Sequence, residues 1–135
     1  MIMKVSLAEW NEFLNSHPNA HFLQTGAWGE LKARFGWKPV RVVKGSSGAQ
    51  VLFRKLPFGY TIAYLGKGPV GTADGIVDEI DGICRQHRAI LLKIEPDQFE
   101  EGGAYDPPGL EGLITAKPIQ PRRTVIVSLE GSEEE

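Results

Sequence analysis

The segment from residue 22 to residue 40 most constrains the fold, because it specifies a short helix followed at once by a strand. Its sequence is FLQTGAWGELKARFGWKPV. Thr25 is placed to cap the helix N-terminus, and Gly36 is placed to end the helix in a left-handed conformation. Between them, apolar side chains recur at the spacing of one helix face, at Trp28, Leu31 and Phe35. We therefore predict an amphipathic helix that buries this face, followed by a strand over Trp37–Lys44.

Lys32 is the most informative polar residue of this helix. It follows Trp28 by one turn, so its stem can pack on apolar neighbours while its ammonium reaches into a cleft. The alternative is an ordinary solvated lysine, which is the usual state of this residue type. Spacing alone leaves both interpretations open.

A mixed sheet flanked by helices is predicted from the rest of the chain. Ser6 and Glu9 form a capping box that opens a first helix. A hairpin turn over residues 45–48 leads into a strand at residues 49–56, and a third strand follows at residues 60–65. In the second strand, alternation puts one set of side chains on the core face and the other set opposite it: Ala49, Val51 and Phe53 against Gln50, Leu52 and Arg54.

A second helix-and-strand unit ends on a carboxylate. Residues 76–84 carry the clearest helical stripe, and the acids opposite it, Glu79 among them, are predicted to form a solvated surface. Residues 89–94 are an apolar run typical of a buried strand, and Glu95 closes it. Ligands gather beyond the ends of central strands in α/β proteins, so Glu95 is a candidate site residue. A plain loop acid is the alternative.

Composition excludes several classes of protein. The chain has 135 residues, a net charge of -2 and one cysteine, which is typical of one globular domain and argues against a dominant nucleic-acid surface or a disulfide. Cys84 lies in the apolar helical stripe and is predicted to be a core residue of a reduced, cytoplasmic protein. No apolar run is long enough to cross a membrane. The three histidines lack the spacing of a metal site, so no metal and no cofactor is expected.

The glycine-rich turn GKGPVGT at residues 66–72 does not fit a nucleotide-hydrolysing loop. Its lysine, Lys67, follows the first glycine, whereas the Walker pattern places the lysine after the last one. We predict a tight strand-to-helix turn in which Lys67 can face an anion.

Four segments, in their order and spacing, resemble the N-terminal part of the FemABX family: FLQTGAWGELKARFGWKPV, IAYLGKGPV, LLKIEPD and IQPRRTVIVSLEGSEEE. Members of this family are peptidyltransferases that move an amino acid from aminoacyl-tRNA to the stem peptide of a peptidoglycan precursor. The resemblance implies an α/β (α+β) fold with a GNAT-like, largely antiparallel mixed sheet flanked by helices, as the first half of a two-domain protein. Residues 1–135 would then be a single GNAT-like domain that stops inside a helix beginning at Ser132.

The resemblance also implies site residues. The family's lysine in a W-x-x-x-K helix, which binds the phosphates of a nucleotide-linked or lipid-linked muropeptide, falls on Lys32. The substrate-binding set is completed by Trp37, Lys67 and Gly68, the last two from the family's K-G-P segment. An acceptor-site aspartate falls on Glu95, which we assign as the catalytic residue that orients the acceptor amine. A family tyrosine falls near Ile90, a departure that changes the acceptor contacts.

The implied partners are the muropeptide precursor and, through the missing second domain, aminoacyl-tRNA. A separate polypeptide carrying the second half, or a homodimer, would complete the cleft, and the chain alone would then be an inactive part of an aminoacyltransferase. Two alternatives stay open. One is a non-catalytic fragment or partner module of a split Fem-type protein. The other is an ordinary GNAT N-acyltransferase, although the Q/R-x-x-G-x-G/A loop of that fold is absent.

Overall fold

The computed structural model describes residues 3–73, 75–97, 112–114, 116–120 and 127–130. Their strands form one five-stranded sheet in chain order, and α-helices cover it. The strands are β1 (Lys4–Val5), β2 (Trp37–Lys44), β3 (Ser47–Lys55), β4 (Thr61–Gly66) and β5 (Ala89–Glu95), and the helices are α1 (Leu7–Asn15), α2 (Gly26–Ala33) and α3 (Val77–Gln86). The first four strands pair antiparallel, and β5 runs parallel to β4. The predicted α/β fold with a mixed, largely antiparallel sheet is confirmed; the predicted helix start at Ser132 lies outside the described residues.

The β2–β3 hairpin is confirmed with a tighter turn than predicted. Lys44 pairs with Ser47, so the turn consists of two residues, 45 and 46. Gly45 adopts a φ of 60°, which glycine takes without steric cost. A two-residue turn fixes the register of the two strands and therefore which side chains share a face.

One face of the sheet packs on α3. Its core combines alternate residues of β2, β3 and β4 with one side of the helix, and its fully buried members include Val42, Val51, Leu65, Ile76, Ile80 and Ile83. Cys84 belongs to the same cluster, as predicted, and burial raises the pKa of its thiol to about 11. The thiolate that a nucleophile needs is therefore scarce at neutral pH.

Glu79 corrects the prediction that the acids of α3 form a solvated surface. The residue is only 9% exposed, and its Oε1 atom lies 2.9 Å from Nζ of Lys44 at the end of β2. The hydrogen bond from Lys44 lowers the pKa of Glu79 below its ordinary value. The sequence pattern missed this burial because the ion pair joins residues that are far apart in the chain.

The opposite face of the sheet is covered by α1 and α2. The predicted capping box opens α1, since Ser6 Oγ accepts the Glu9 N–H at 3.2 Å and Glu9 Oε2 accepts the Ser6 N–H at 2.7 Å. Trp10 is fully buried, and its indole N–H donates to the Gln24 carbonyl at 2.8 Å. Gly48 allows this packing, because an added Cβ would lie 2.8 Å from the Trp10 ring.

The buried face of α2 is not the predicted one. Thr25 caps the helix as predicted, with Oγ1 accepting the Trp28 N–H at 3.2 Å. The buried residues are Gly26 and Gly29, whereas the large side chains predicted to be buried are 43% exposed at Leu31 and 65% exposed at Phe35. An added Cβ on Gly29 would lie 2.4 Å from Gln50 Oε1, so close approach to the sheet decides which face is buried. The amphipathic pattern assumed that large residues make this contact.

β5 is the outermost strand of the described sheet, which corrects the prediction of a buried, central strand. Its pairing with β4 skips a residue, since Thr61 pairs with Ala89 but Ala63 pairs with Leu92. The extra residue forms a bulge in β5. The side chains at the bulge face solvent, since Ile90 is 65% exposed and Leu91 is 57% exposed. Glu95 therefore ends the outermost strand of the described sheet.

The pKa of His87 links stability to pH. The ring stacks on Phe53 with the centroids 4.5 Å apart, and Nε2 is buried with no hydrogen-bond partner in the described part of the chain. Burial, followed by the positive charges of Lys38 and Lys4, lowers the pKa of His87 below its ordinary value of 6.5. The unfolded chain therefore takes up this proton at a higher pH than the folded protein does. The contribution of His87 to the free energy of unfolding is fully present above pH 6.5. It is lost as the pH falls through the lowered pKa of His87 in the folded protein.

We expect the urea midpoint of unfolding to decrease as the pH is lowered below neutrality, and His87→Phe to reduce this decrease. Phenylalanine retains the stacking on Phe53 but binds no proton. Urea titrations of both proteins at neutral and mildly acidic pH measure the effect. An identical pH dependence in the two proteins would contradict the assignment to His87.

Candidate functional site

A cavity of about 140 Å³ opens between α2 and the sheet. Its walls come from α2, from the start of β2, from the middle of β3 and β4, and from residues 119–120. The side chains that matter for its chemistry are Gln24, Trp28, Lys32, Trp37, Gln50 and Tyr64. The cavity therefore lies on the sheet face opposite α3.

Lys32 stands between two indole rings on the wall of this cavity. Its Nζ atom lies 5.5 Å from the ring centroid of Trp28 and 5.7 Å from that of Trp37. The guanidinium of Arg54 lies 5.6 Å from the Trp37 ring as well. Ammonium groups are attracted to indole faces, and two such contacts restrict a side chain that is otherwise flexible. The half-buried Lys32 ammonium is thus held in one region of the cleft.

The floor of the cavity contains two buried amides, Gln24 and Gln50, each 1% exposed. The register of β3 and β4 pairs Leu52 with Tyr64, and its continuation by two positions would pair Gln50 with Gly66. The Gln24 side chain takes the place of that pairing. Its Nε2 donates to the carbonyls of Gly66 at 2.8 Å and Gln50 at 3.2 Å, and its Oε1 accepts the Gln50 N–H at 2.9 Å. A side-chain amide therefore closes the sheet where two strands separate.

The Gln50 side chain carries the connection from the sheet to α2. Its Nε2 donates to the Thr25 carbonyl at 2.9 Å, and its Oε1 accepts from Nε of Arg41 at 2.8 Å. Arg41 is itself buried and pairs with Glu30 of α2 at 3.1 Å. Within the described residues, no buried side-chain polar atom of this network lacks a partner. A fully satisfied network of this kind holds its members in a single arrangement.

Glu95 meets the cavity through residues 119–120. Its carboxylate accepts the N–H of Ile119 at 2.5 Å and that of Gln120 at 2.9 Å, and both residues line the cavity. The Tyr64 hydroxyl is buried there without a hydrogen-bond partner among the described residues. Burial raises the pKa of Tyr64, Gln120 opposes the rise, and the charge of Glu95 adds to it. The phenol therefore stays protonated and offers the cavity one donor and one acceptor.

Two of the predicted substrate-binding residues lie outside this cavity. Lys67 lines a second cavity of about 320 Å³, together with His21 and Asp97. Gly68 packs behind Gln24, where an added Cβ would lie 3.0 Å from the Gln24 Cδ atom. Lys32 and Trp37 thus line the cavity, Glu95 contacts two residues of its wall, and Lys67 and Gly68 lie outside it.

Sequence patterns did not identify Gln24, Gln50 and Tyr64 as parts of the cavity. Alternation assigned Gln50 correctly to the face opposite Val51, but that face is covered by α2. Two signals were available in the sequence. Gln50 is an amide inside an otherwise apolar strand, and Gln24 is an amide directly before the residue that caps a helix. Because hydropathy does not distinguish a buried, bonded amide from an exposed one, the pattern alone could not reveal the pair.

Among the described residues, the cavity is lined by one cation, Lys32, and by neutral polar groups, with the carboxylate of Glu95 behind its wall. In the described part of the chain, no three His, Cys, Asp or Glu side chains are arranged to hold a metal ion. No helix among those same residues has the length and apolar character needed to cross a membrane.

The fold and the site define an α/β protein with a lysine-bearing cleft between a glycine-rich helix and a mixed sheet. The sequence profile of the FemAB family matches residues 5–105, and the chain belongs to this family. It is 28% identical over 155 aligned residues to the Lipid II:glycine glycyltransferase of Staphylococcus haemolyticus (strain JCSC1435). It is 29% identical over 155 residues to the protein of the same name from Staphylococcus aureus.

The alignments cover almost all of this chain but only a part of each relative. Both alignments include 98% of this chain but 37% of the relative. A solved structure described as the crystal structure of FemX is 31% identical, with a TM-score of 0.61, and the match covers 73% of this chain and 27% of that one. The chain thus spans little more than a third of the length of these glycyltransferases.

The buried amide pair makes a stability prediction. Gln24→Leu preserves side-chain volume but leaves the Gly66 carbonyl and the Gln50 N–H buried without their partner, so we expect a loss of about 3 kcal/mol in the free energy of unfolding. Gln86→Leu on the exposed end of α3 is the matched control and should change stability by less than about 0.5 kcal/mol. Chemical denaturation measures both. Equal stability of the two variants would show that Gln24 does not hold the sheet closed.

Proposed function

We propose that this chain provides the precursor-binding part of a Fem-type aminoacyltransferase, which transfers an amino acid from aminoacyl-tRNA to the stem peptide of a peptidoglycan precursor. Membership of the FemAB family supports the class of reaction. The relatives named Lipid II:glycine glycyltransferase support a lipid-linked muropeptide as the acceptor. Because the chain spans 37% of those relatives, the complete reaction belongs to this proposal together with its tRNA substrate. The observation that carries the proposal is the Lys32 ammonium held between two indoles on the cleft wall.

Lys32 is suited to bind the diphosphate of the precursor. A phosphate oxygen that accepts from an ammonium forms a charge-assisted hydrogen bond, which contributes about 1.5–3 kcal/mol. The contacts with Trp28 and Trp37 reduce the conformational freedom that Lys32 loses on binding. Trp37 is thereby proposed as a substrate-binding residue through its contact with the cation.

Glu95 is proposed to orient the acceptor amine. Each of its carboxylate oxygens accepts one backbone N–H from residues 119–120, which leaves lone pairs for a substrate ammonium. The two backbone contacts also hold the carboxylate still beside the cleft. A fixed carboxylate can accept hydrogen bonds from the acceptor ammonium and take up its proton when the amine becomes nucleophilic.

The proposed chemistry needs no protein nucleophile. The neutral amine attacks the ester carbonyl of the aminoacyl-tRNA, the new C–N bond forms, the ester C–O bond breaks, and the ribose hydroxyl of the tRNA leaves. An aminoacyl ester is already activated, so holding the two substrates together accounts for much of the rate. The thiol of Cys84 is buried and its pKa is raised to about 11, so it does not supply a nucleophile. The proposed scheme requires none.

Lys67 and Gly68 stay predictions as substrate contacts. Lys67 borders the second cavity, and the residue before it, Gly66, lines the first. A muropeptide is an extended molecule, so Lys67 is proposed to contact a part of the precursor distant from the diphosphate. Gly68 contributes by allowing the turn after β4 to approach Gln24 closely.

Loss of the Lys32 charge should weaken precursor binding. We expect Lys32→Met, which retains an apolar stem between the indoles, to lower affinity for a nucleotide-linked muropeptide about tenfold or more. Lys32→Arg retains the charge and should keep most of the affinity. Lys4→Ala on β1 is the control for loss of an exposed lysine elsewhere. Isothermal titration calorimetry measures all four proteins, and an unchanged affinity in Lys32→Met would refute the phosphate-binding role.

The role of Glu95 is tested by comparing two substitutions. Glu95→Asp retains a carboxylate and matches the family residue that the sequence resemblance places there, so we expect it to retain transfer activity. Glu95→Gln replaces an acceptor oxygen by an NH₂ group and should lower the transfer rate about a hundredfold. The rate is measured with aminoacyl-tRNA and muropeptide in the complete Fem-type enzyme. Equal rates for Glu95→Gln and the unaltered enzyme would remove Glu95 from the mechanism.

A further inference from the structure

One end of the sheet is strongly basic. The start of β2, the end of β3, the start of β4 and the start of β5 meet there in register. Residues 34–38, 54–61 and 85–89, which we call the basic end, contain no Asp or Glu. Their six Lys and Arg side chains are all exposed: Arg34, Lys38, Arg54, Lys55, Arg85 and Arg88. Arg85 forms an ion pair with Asp81 at 2.7 Å, and the other five have no acidic partner among the described residues. The whole chain has a net charge of -2, so positive charge is concentrated at this end.

A loop of the basic end presents a phenylalanine to solvent. Phe58 is 91% exposed and has a left-handed backbone with a φ of 64°, a conformation that residues with a side chain seldom adopt. Two hydrogen bonds hold the loop in this shape. The Leu56 N–H donates to the Tyr60 carbonyl at 2.8 Å, and Arg88 Nη1 donates to the Phe58 carbonyl at 3.3 Å. The exposure of the ring is therefore a property of an ordered loop.

Two other aromatic rings at this end, Tyr60 and Trp37, are in contact with cations, whereas Phe35, which is 65% exposed, is open like Phe58. The Arg88 guanidinium lies 4.4 Å from the ring centroid of Tyr60, and that of Arg54 lies 5.6 Å from the ring of Trp37. Single-stranded nucleic acids bind through bases stacked on open aromatic faces, and these two rings have cations against them. The two open rings, Phe35 and Phe58, have no polar atom to direct toward a base edge. An apolar ring surrounded by cations is instead the composition of a surface that enters the interface of an anionic bilayer.

We propose that the basic end docks on the surface of an anionic lipid bilayer, with Phe58 inserted among the headgroups. The inference rests on the proposed function, because a lipid-linked precursor is held at a membrane. Trp37 belongs both to the basic end and to the wall of the cavity, so the cleft opens directly beside the basic end. The docked protein presents its cleft to the part of the precursor that projects from the bilayer.

The test is flotation of the protein with lipid vesicles. We expect binding to mixed phosphatidylglycerol and phosphatidylcholine vesicles, weaker binding to pure phosphatidylcholine vesicles, and a decrease with salt. Phe58→Ser should lower the partition coefficient about tenfold, since it removes the buried ring. Lys55→Gln should lower it about fivefold, the contribution of one basic residue near an anionic surface.

Two control variants separate this surface from the cleft. Phe22→Ser removes a ring that is 60% exposed but lies before the N-terminus of α2, away from the basic end, and should bind vesicles like the unaltered protein. Lys32→Met should lose muropeptide affinity and should lower vesicle binding no more than Lys55→Gln does, because its ammonium lies 5.7 Å from the Trp37 ring at this end. Retention of muropeptide affinity in Lys32→Met, with vesicle binding still dependent on Phe58, would overturn the proposed function and leave the docking surface standing.

Three outcomes would overturn the docking surface. The first is absence of binding to the phosphatidylglycerol vesicles. The second is an equal loss in Phe22→Ser and Phe58→Ser, which would indicate unspecific adsorption of exposed rings. The third is binding of bulk tRNA that depends on Phe58 and Lys55 in the absence of vesicle binding, which would assign the surface to RNA.

Discussion

The Gln24 amide is the interaction on which the cleft depends. It replaces one rung of the β3–β4 ladder by donating to two backbone carbonyls and accepting one backbone N–H. Since Gln24 precedes α2 by only one residue, its position fixes where that helix begins. Each of these groups is buried, so the loss of one partner leaves a polar group without compensation in a low-dielectric interior. The helix and the separation of the two strands are consequently specified by the same side chain.

Closeness of α2 to the sheet follows from the same arrangement. Gln50 holds the Thr25 carbonyl on one side and Arg41 on the other, and Gly29 leaves room for its amide. A larger residue at position 29 would collide with Gln50 Oε1 and lift the helix. The distance between the helix and β2 decides whether Trp28 and Trp37 can both reach the Lys32 ammonium. Gly29 thus allows α2 to lie close enough to the sheet for these contacts of the large side chains.

Local signals determined most of the fold, and that part was predictable. The capping residues Ser6 and Thr25, the glycine turn at residue 45 and the apolar stripe of α3 act within a few residues of chain, and each appears where the sequence places it. Long-range pairings were not predictable in this way. Two examples are the ion pair of Glu79 with Lys44 and the bulge that exposes Ile90. Both depend on residues that are brought together only by the completed sheet. For the candidate site, a helix position selected Lys32, whereas its second indole and the Gln24–Gln50 floor arise from the sheet register.

Among its described residues the cleft is lined by a single cation and neutral polar groups, which suits a reaction between an activated ester and an amine. Such a reaction gains most from holding two substrates in one orientation, and orientation requires binding groups that do not move. Lysine is ordinarily a poor choice for that purpose because its side chain has many rotamers. Contact with two indoles removes much of this freedom before a ligand arrives, and both indoles stand on elements held in place by buried amides. The rigidity of the cation is therefore derived from the hydrogen-bonded floor beneath it, which connects the structural role of Gln24 and Gln50 to the binding role proposed for Lys32.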